Sequence, residues 1–239
     1  MPLTSTLLVS LTLLAALTDW VAVARRAHDP AARAAEYAAK PLTLLLLIGA
    51  ALAMAHDHAA PNVPAPHHAT AYLVVTTVAA LTLSLVGDIF LMLPEDSPAA
   101  ARNFVLGLGA FLLAHVAYIT AFVSLRAHGG YAISFVLTGL VLAGALFATV
   151  GLRVHAAARA EDQALAGPVL AYVAVISLMV VAAWWTGDLR IIPGALLFAA
   201  SDAMIGWTRF VRRDWDLDVP IIVTYHLAQV LLVLGLLRR

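Results

Sequence analysis

The sequence contains no cysteine. That excludes a disulfide, a thiol nucleophile and a cysteine metal site, and leaves the redox compartment unread. Charge is also scarce: only 12% of the 239 residues are Asp, Glu, Lys or Arg, against about 25% in soluble domains. Net charge is zero, so no basic surface argues for nucleic acid. Phosphate-cradling glycine loops, Gly-x-Ser-x-Gly elbows and His-Glu-x-x-His helices are all missing. What remains is 63% hydrophobic, with a mean hydropathy of +0.93, the composition of an integral membrane protein.

The first apolar run lacks the basic start of a secretory leader and continues past Asp19 and Trp20, so it reads as a retained span. The fold class expected is all-α: one bundle of eight transmembrane helices over residues 1–239, with spans at about 3–24, 41–55, 69–93, 103–125, 131–152, 167–186, 190–210 and 219–237. Span two is short, with Pro41 read at or near its first position. A polar, partly helical linker precedes it, and the stretch 153–166 reads as a second charged linker. Basic residues favour one side: the odd-to-even connections carry ten, the opposite side four. The positive-inside rule then makes those connections cytoplasmic and puts both termini outside.

Two acids lie inside apolar runs, Asp88 in Ser84–Pro94 and Asp202 in Phe198–Met204. An intramembrane carboxyl is a functional-site hypothesis by default. At the rise of an α-helix, Asp88 lies roughly 9 Å and Asp202 roughly 10 Å below the same membrane face. Tyr225 and His226 fall at similar depth, Ser84 and Gln229 lie one turn from Asp88 and Tyr225, and Lys40 and Asn103 sit at the mouths of their spans. His115 and Tyr118 are deeper, and Ser201 adjoins Asp202. The expectation is one polar pocket holding both aspartates and opening to the cytoplasmic side. The competing reading of each residue is structural: an acid bonded to a neighbouring helix, a packed histidine, a snorkelling lysine.

Asp19, near the cytoplasmic end of span one, reads as structural, with a helper role at the site as the alternative, and the histidines at 56, 58, 67 and 68 read as a solvated loop without ligand spacing. Gly107/Gly109 and Gly139/Gly144 read as close helix contacts. An internal echo is visible: Asp88 precedes His115 by 27 residues, and Asp202 precedes His226 by 24, as a parallel four-plus-four repeat would give.

Several segments carry a family resemblance: Lys40-Pro41-Leu42, Gly87–Pro94, Phe104–Tyr118 with its His115, Gly194–Asp202, and Tyr225-His226-Leu227-Ala228-Gln229. In this order the chain resembles the YhhN-like lysoplasmalogenase family of eight-span membrane proteins. The resemblance implies a hydrolase of the lysoplasmalogen vinyl-ether bond, releasing a fatty aldehyde and glycerophosphoethanolamine or glycerophosphocholine, with Asp88 and Asp202 as catalytic residues. It implies no cofactor, no metal and no obligate protein partner. It implies the bilayer and a lysophospholipid as the partners, and a bacterial-type inner or plasma membrane as the location. His226 stands where the family commonly has an aromatic residue.

The implied chemistry suits two acids. Vinyl ethers resist nucleophiles but yield to acid, which creates an oxocarbenium ion that water then attacks. Two carboxylates held close together do not both ionise readily, so one can donate the proton while the other offsets the cation, as in glycosidases. Lys40, Arg102 and Arg209 are candidates to hold the headgroup phosphate. Two other classes compete: a proton-coupled transporter using the aspartates as protonatable sites, and a metal-dependent lipid amidase or esterase with Asp88, Asp202, His115 and His226 as ligands.

Overall fold

The computed structural model describes residues 2–58, 67–94, 97–126 and 133–237. Among them lie eight helices long and apolar enough to cross a membrane. They are α1 (Leu3–Arg25), α2 (Pro30–His58), α3 (His67–Met92), α4 (Ala100–Arg126), α5 (Ile133–Glu161), α6 (Ala166–Thr186), α7 (Ile191–Val211) and α8 (Asp218–Leu237). The described residues contain no strand, as hydrocarbon demands of any chain whose backbone must satisfy itself within each segment.

Two boundaries differ from the sequence expectation. Helix α2 begins eleven residues before Pro41 and runs through it. Its start is set by Asp29, whose side chain accepts the Ala31 N–H at 2.8 Å, and by Pro30 at the first helical position. The polar linker is therefore mostly the first turns of α2. Helix α5 likewise absorbs much of the charged stretch after Arg153. It runs as α-helix to Leu146, as a π turn over Phe147–Gly151, and as α-helix again to Glu161. A second π turn, Trp207–Val211, ends α7. The tight link after α6 is as expected: Gly187 takes the left-handed conformation, φ 67°, and the Asp188 carboxylate accepts the N–H groups of Arg190 and Ile191.

Packing places α8 at the centre. It contacts α1, α2, α3, α4 and α7, while α5 leans from outside on α6 and on the end of α7. Of their apolar windows, 56% is buried for α8 and 11% for α5. The polar side chains Tyr225, His226 and Gln229 of α8 are accordingly interior.

The glycine expectation holds for half of its residues. A Cβ on Gly107 would stand 2.8 Å from Leu91, and one on Gly139 would stand 2.7 Å from Trp184, so both permit close helix approach. Gly109 and Gly144 face open space. Spacings of two and five residues turn a helix away from the first contact face. The calls on the loop after α2, on Glu95 and Asp96, on 127–132 and on the C-terminal arginine pair lie outside the described residues, as do the side chains of His58, His67 and His68.

The tightest glycine contact between α7 and α8 gives a stability prediction. A Cβ on Gly235 would meet Ile191 Cγ1 at 2.5 Å and the Ile191 backbone nitrogen at 3.1 Å, so a side-chain shift alone does not relieve it. Gly235→Ala is expected to destabilise by about 1–3 kcal/mol, the cost of overpacking. Gly109→Ala, with open space around it, should be neutral or stabilising by up to about 1 kcal/mol. Thermal unfolding of the two variants in detergent micelles checks the contrast.

Candidate active site

Asp202 is carried by α7 into a gap between α4 and α6. Its Oδ2 accepts the Tyr172 hydroxyl at 2.5 Å and lies 3.3 Å from Nε2 of His115. The opposite ring nitrogen, Nδ1, lies 2.6 Å from the Phe111 carbonyl one turn back on α4. A carbonyl only accepts, so Nδ1 carries a hydrogen. A neutral His115 therefore presents its Nε2 lone pair to Asp202. At 3.3 Å that lone pair stands where it can accept a proton carried by the Asp202 carboxyl.

Asp88, on α3, is paired differently. Its Oδ2 accepts the Tyr225 hydroxyl of α8 at 2.8 Å. Lys40 and Asp19 lie within electrostatic reach of it. Lys40 is bonded to Glu36 at 3.3 Å, and Glu36 also accepts Arg26 at 2.5 Å. Arg26 then reaches Asp218, clamping the adjoining ends of α1, α2 and α8 together. Behind Asp88, His226 accepts the Trp20 indole N–H on Nδ1 at 3.1 Å, which leaves its Nε2 as the proton-bearing nitrogen of the neutral ring. That Nε2 lies 4.0 Å from Asp19 Oδ2.

The sequence echo is not carried into the contacts: His115, downstream of Asp88, faces Asp202, whereas His226, downstream of Asp202, bonds Trp20 and approaches Asp19, and its neighbour Tyr225 holds Asp88. Phe111, Phe198 and Tyr225 meet edge to face between the two acids, with ring centres 5.5–6.3 Å apart. No hydrogen bond joins the two carboxyls in the described residues, yet they are near enough to repel one another when both are ionised.

Asp202 and Tyr172 lie on the wall of a cavity of about 80 Å³ that is lined for the rest by apolar residues and Ser177 and bounded mainly by α4, α5, α6 and α7. Phe104, Leu108 and Phe111 form one side, and Val150 and Gly151 of the first π turn another. Phe210 of the second π turn closes one end. Asp88 is not on this wall, although Leu91, one turn on, is.

The other expected residues divide. Tyr118 donates to Gln229 at 2.5 Å. Ser84 is fully buried, as is the Gln229 amide nitrogen, and neither makes a hydrogen bond to the protein. The Ser201 hydroxyl is spent on the Ile221 carbonyl at 3.0 Å, tying α7 to α8. Asn103 is buried, with no hydrogen bond to either acid. Among the described residues no three His, Asp or Glu side chains converge as a metal site requires.

Tyr172 escaped the sequence reading, since a tyrosine in an apolar run carries no signal of a partner thirty residues on. Asp19, read as structural, is completely buried beside His226, and neither of its oxygens makes a hydrogen bond.

Residues 35–236 match the model of the YhhN family, so α1 with Asp19 lies outside the match. The chain is 36% identical over 165 residues to a protein of Mycobacterium bovis named Lysoplasmalogenase, covering 66% of this chain and 59% of that protein. It is 30% identical over 164 residues to Lysoplasmalogenase TMEM86B of Mus musculus, covering 67% and 62%. To the Homo sapiens protein of the same name it is 32% identical over 162 residues, covering 66% and 62%. The chain spans about six tenths of the length of the curated relatives it matches. No solved structure matches it. With the family model covering all but the first helix and the ends, this multi-pass membrane protein belongs to the YhhN family.

Proposed function

We propose that this chain is a membrane-embedded hydrolase that cleaves the vinyl-ether bond of lysoplasmalogens, with Asp202 as the proton donor. The observation that carries the reading is the Asp202–His115–Tyr172 constellation on the wall of an apolar cavity. The names borne by the relatives supply the substrate class.

The steps balance without a cofactor. The alkene π pair takes the proton of Asp202, forming a C–H bond at the carbon remote from oxygen and an oxocarbenium ion at the carbon attached to it. Water adds to that ion and gives its extra proton to a carboxylate. The resulting hemiacetal collapses: its hydroxyl gives its proton to a carboxylate, its C–O bond to glycerol breaks, the glycerol oxygen takes a proton from a carboxyl, and the fatty aldehyde leaves. Tyr172 holds one carboxyl oxygen in place, and the His115 lone pair positions the proton. Asp88, steadied by Tyr225, supplies negative charge that favours the cation across a low-dielectric gap. The site lies toward the cytoplasmic end of its helices in the orientation set by the basic loops, in the inner or plasma membrane.

General acid catalysis is worth typically 10²–10⁴-fold. Asp202→Asn is therefore expected to lower aldehyde release from lysoplasmalogen by about a hundredfold or more, and Asp88→Asn to lower it strongly too, with helical content and melting behaviour kept. Full activity in either variant would remove the two-carboxylate mechanism. Flux of lipid into liposomes without turnover would instead favour a transporter, and loss of activity to a strong chelator a metal-dependent hydrolase.

His115 and Tyr172 are positioning residues, so their loss should appear in kcat with little change in KM. Tyr172→Phe removes one hydrogen bond to a carboxyl, which corresponds to about a tenfold fall in kcat or more. An equal rise in KM, with kcat untouched, would assign Tyr172 to substrate binding instead.

A further inference from the structure

We infer that Arg209 is the phosphate-binding residue of the lipid site, and that the substrate threads the cavity from Arg209 past Asp202, phosphate at the mouth and hydrocarbon inside. This rests on the hydrolase reading only for where the vinyl ether stops.

Three basic residues competed for the phosphate. None of the three is itself on the cavity wall. Lys40 is bonded to Glu36 on the Asp88 side of the bundle, whereas Arg209 lies against residues that do line the cavity. Its guanidinium lies 5.4 Å from the ring centre of Phe104 and 5.1 Å from that of Phe210, and both rings line the cavity. Its side chain is 36% exposed, so it faces the outside as well as the apolar interior. Aromatic faces hold the guanidinium in place while its planar fork pairs with an oxyanion, in this structure that of Glu161.

The charge at the mouth is unbalanced in the right sense. Glu161, at the end of α5, pairs with Arg209 at 3.2 Å and also with Arg213. Two cations around one carboxylate leave one positive charge, which a single phosphodiester neutralises. Arg213 can keep Glu161 while Arg209 turns to the lipid.

The spacing fits. Seven residues separate Asp202 from Arg209, roughly 10 Å of helix. In a lysoplasmalogen, seven bonds join phosphorus to the vinyl carbon that takes the proton, roughly 9 Å when extended at ordinary bond lengths. With phosphate on Arg209, that carbon reaches Asp202. The alkenyl chain continues toward Ile176, Ser177 and Leu146, on the far side of Asp202 from the mouth. The two π turns border this path and widen it, the setting in which such turns recur at functional sites.

The test is equilibrium binding by detergent-solubilised protein, which does not require turnover. Two radiolabelled ligands with a saturated ether are compared: 1-O-alkyl lysophosphatidylethanolamine, and 1-O-alkylglycerol, which lacks the phosphate. Arg209→Gln is expected to weaken the first about tenfold or more, the loss of a charge-assisted contact, and to leave the second within about twofold. Arg209→Lys should keep part of the affinity, and Glu161→Gln should tighten the phosphate-bearing ligand alone. Equal weakening of both ligands, no weakening of either, or a phosphate-specific loss confined to Lys40→Gln overturns the assignment. Aldehyde release by the unmodified protein tests the hydrolase reading separately, so each idea can fail without the other.

Discussion

A carboxyl group inside a membrane helix is tolerable only if the protein supplies its partners, because hydrocarbon offers none. Asp202 shows what this requires. Tyr172 comes from α6, His115 from α4, and the carbonyl of Phe111 fixes the histidine in turn. Three helices must therefore stand at one separation and one rotation. The same demand at Asp88 draws in α8 through Tyr225, and α8 is the helix around which α1, α2, α3, α4 and α7 pack. The acids organise the bundle as much as the bundle presents the acids.

The aromatic wall of Phe111, Phe198 and Tyr225 gives the two acids different surroundings. Asp202 meets an apolar cavity, a histidine lone pair and a phenol. Asp88 meets a phenol within a network of opposite charges that runs through Lys40, Glu36 and Arg26 to Asp218. In the proposed mechanism the first environment serves the proton donor and the second the counter-charge, a division of labour set by environment and not by residue type.

The two π turns both border the cavity, one through Val150 and Gly151 and the other through Phe210, and α5, which carries the first, is the least enclosed helix of the bundle. In the proposed binding mode this peripheral helix gives a lipid tail a route away from the polar network around α8.

Much was legible in the chain itself. Apolar run length and scarce charge are local properties, and they determined the membrane class, the eight spans and the two costly aspartates. The joint order of its segments pointed to the family. Misreadings began where a local cue had two meanings: Pro41 reads as a helix start, while the true start was written in Asp29-Pro30. What the chain alone left open was rotation. In a bilayer both the lipid-facing and the protein-facing sides of a helix are apolar, so periodicity does not say which face turns inward. Only the tertiary structure could decide that Tyr172 holds Asp202, that His115 faces Asp202 and not Asp88, that Asp19 is buried beside His226, and that Arg209 lies over two rings lining the cavity.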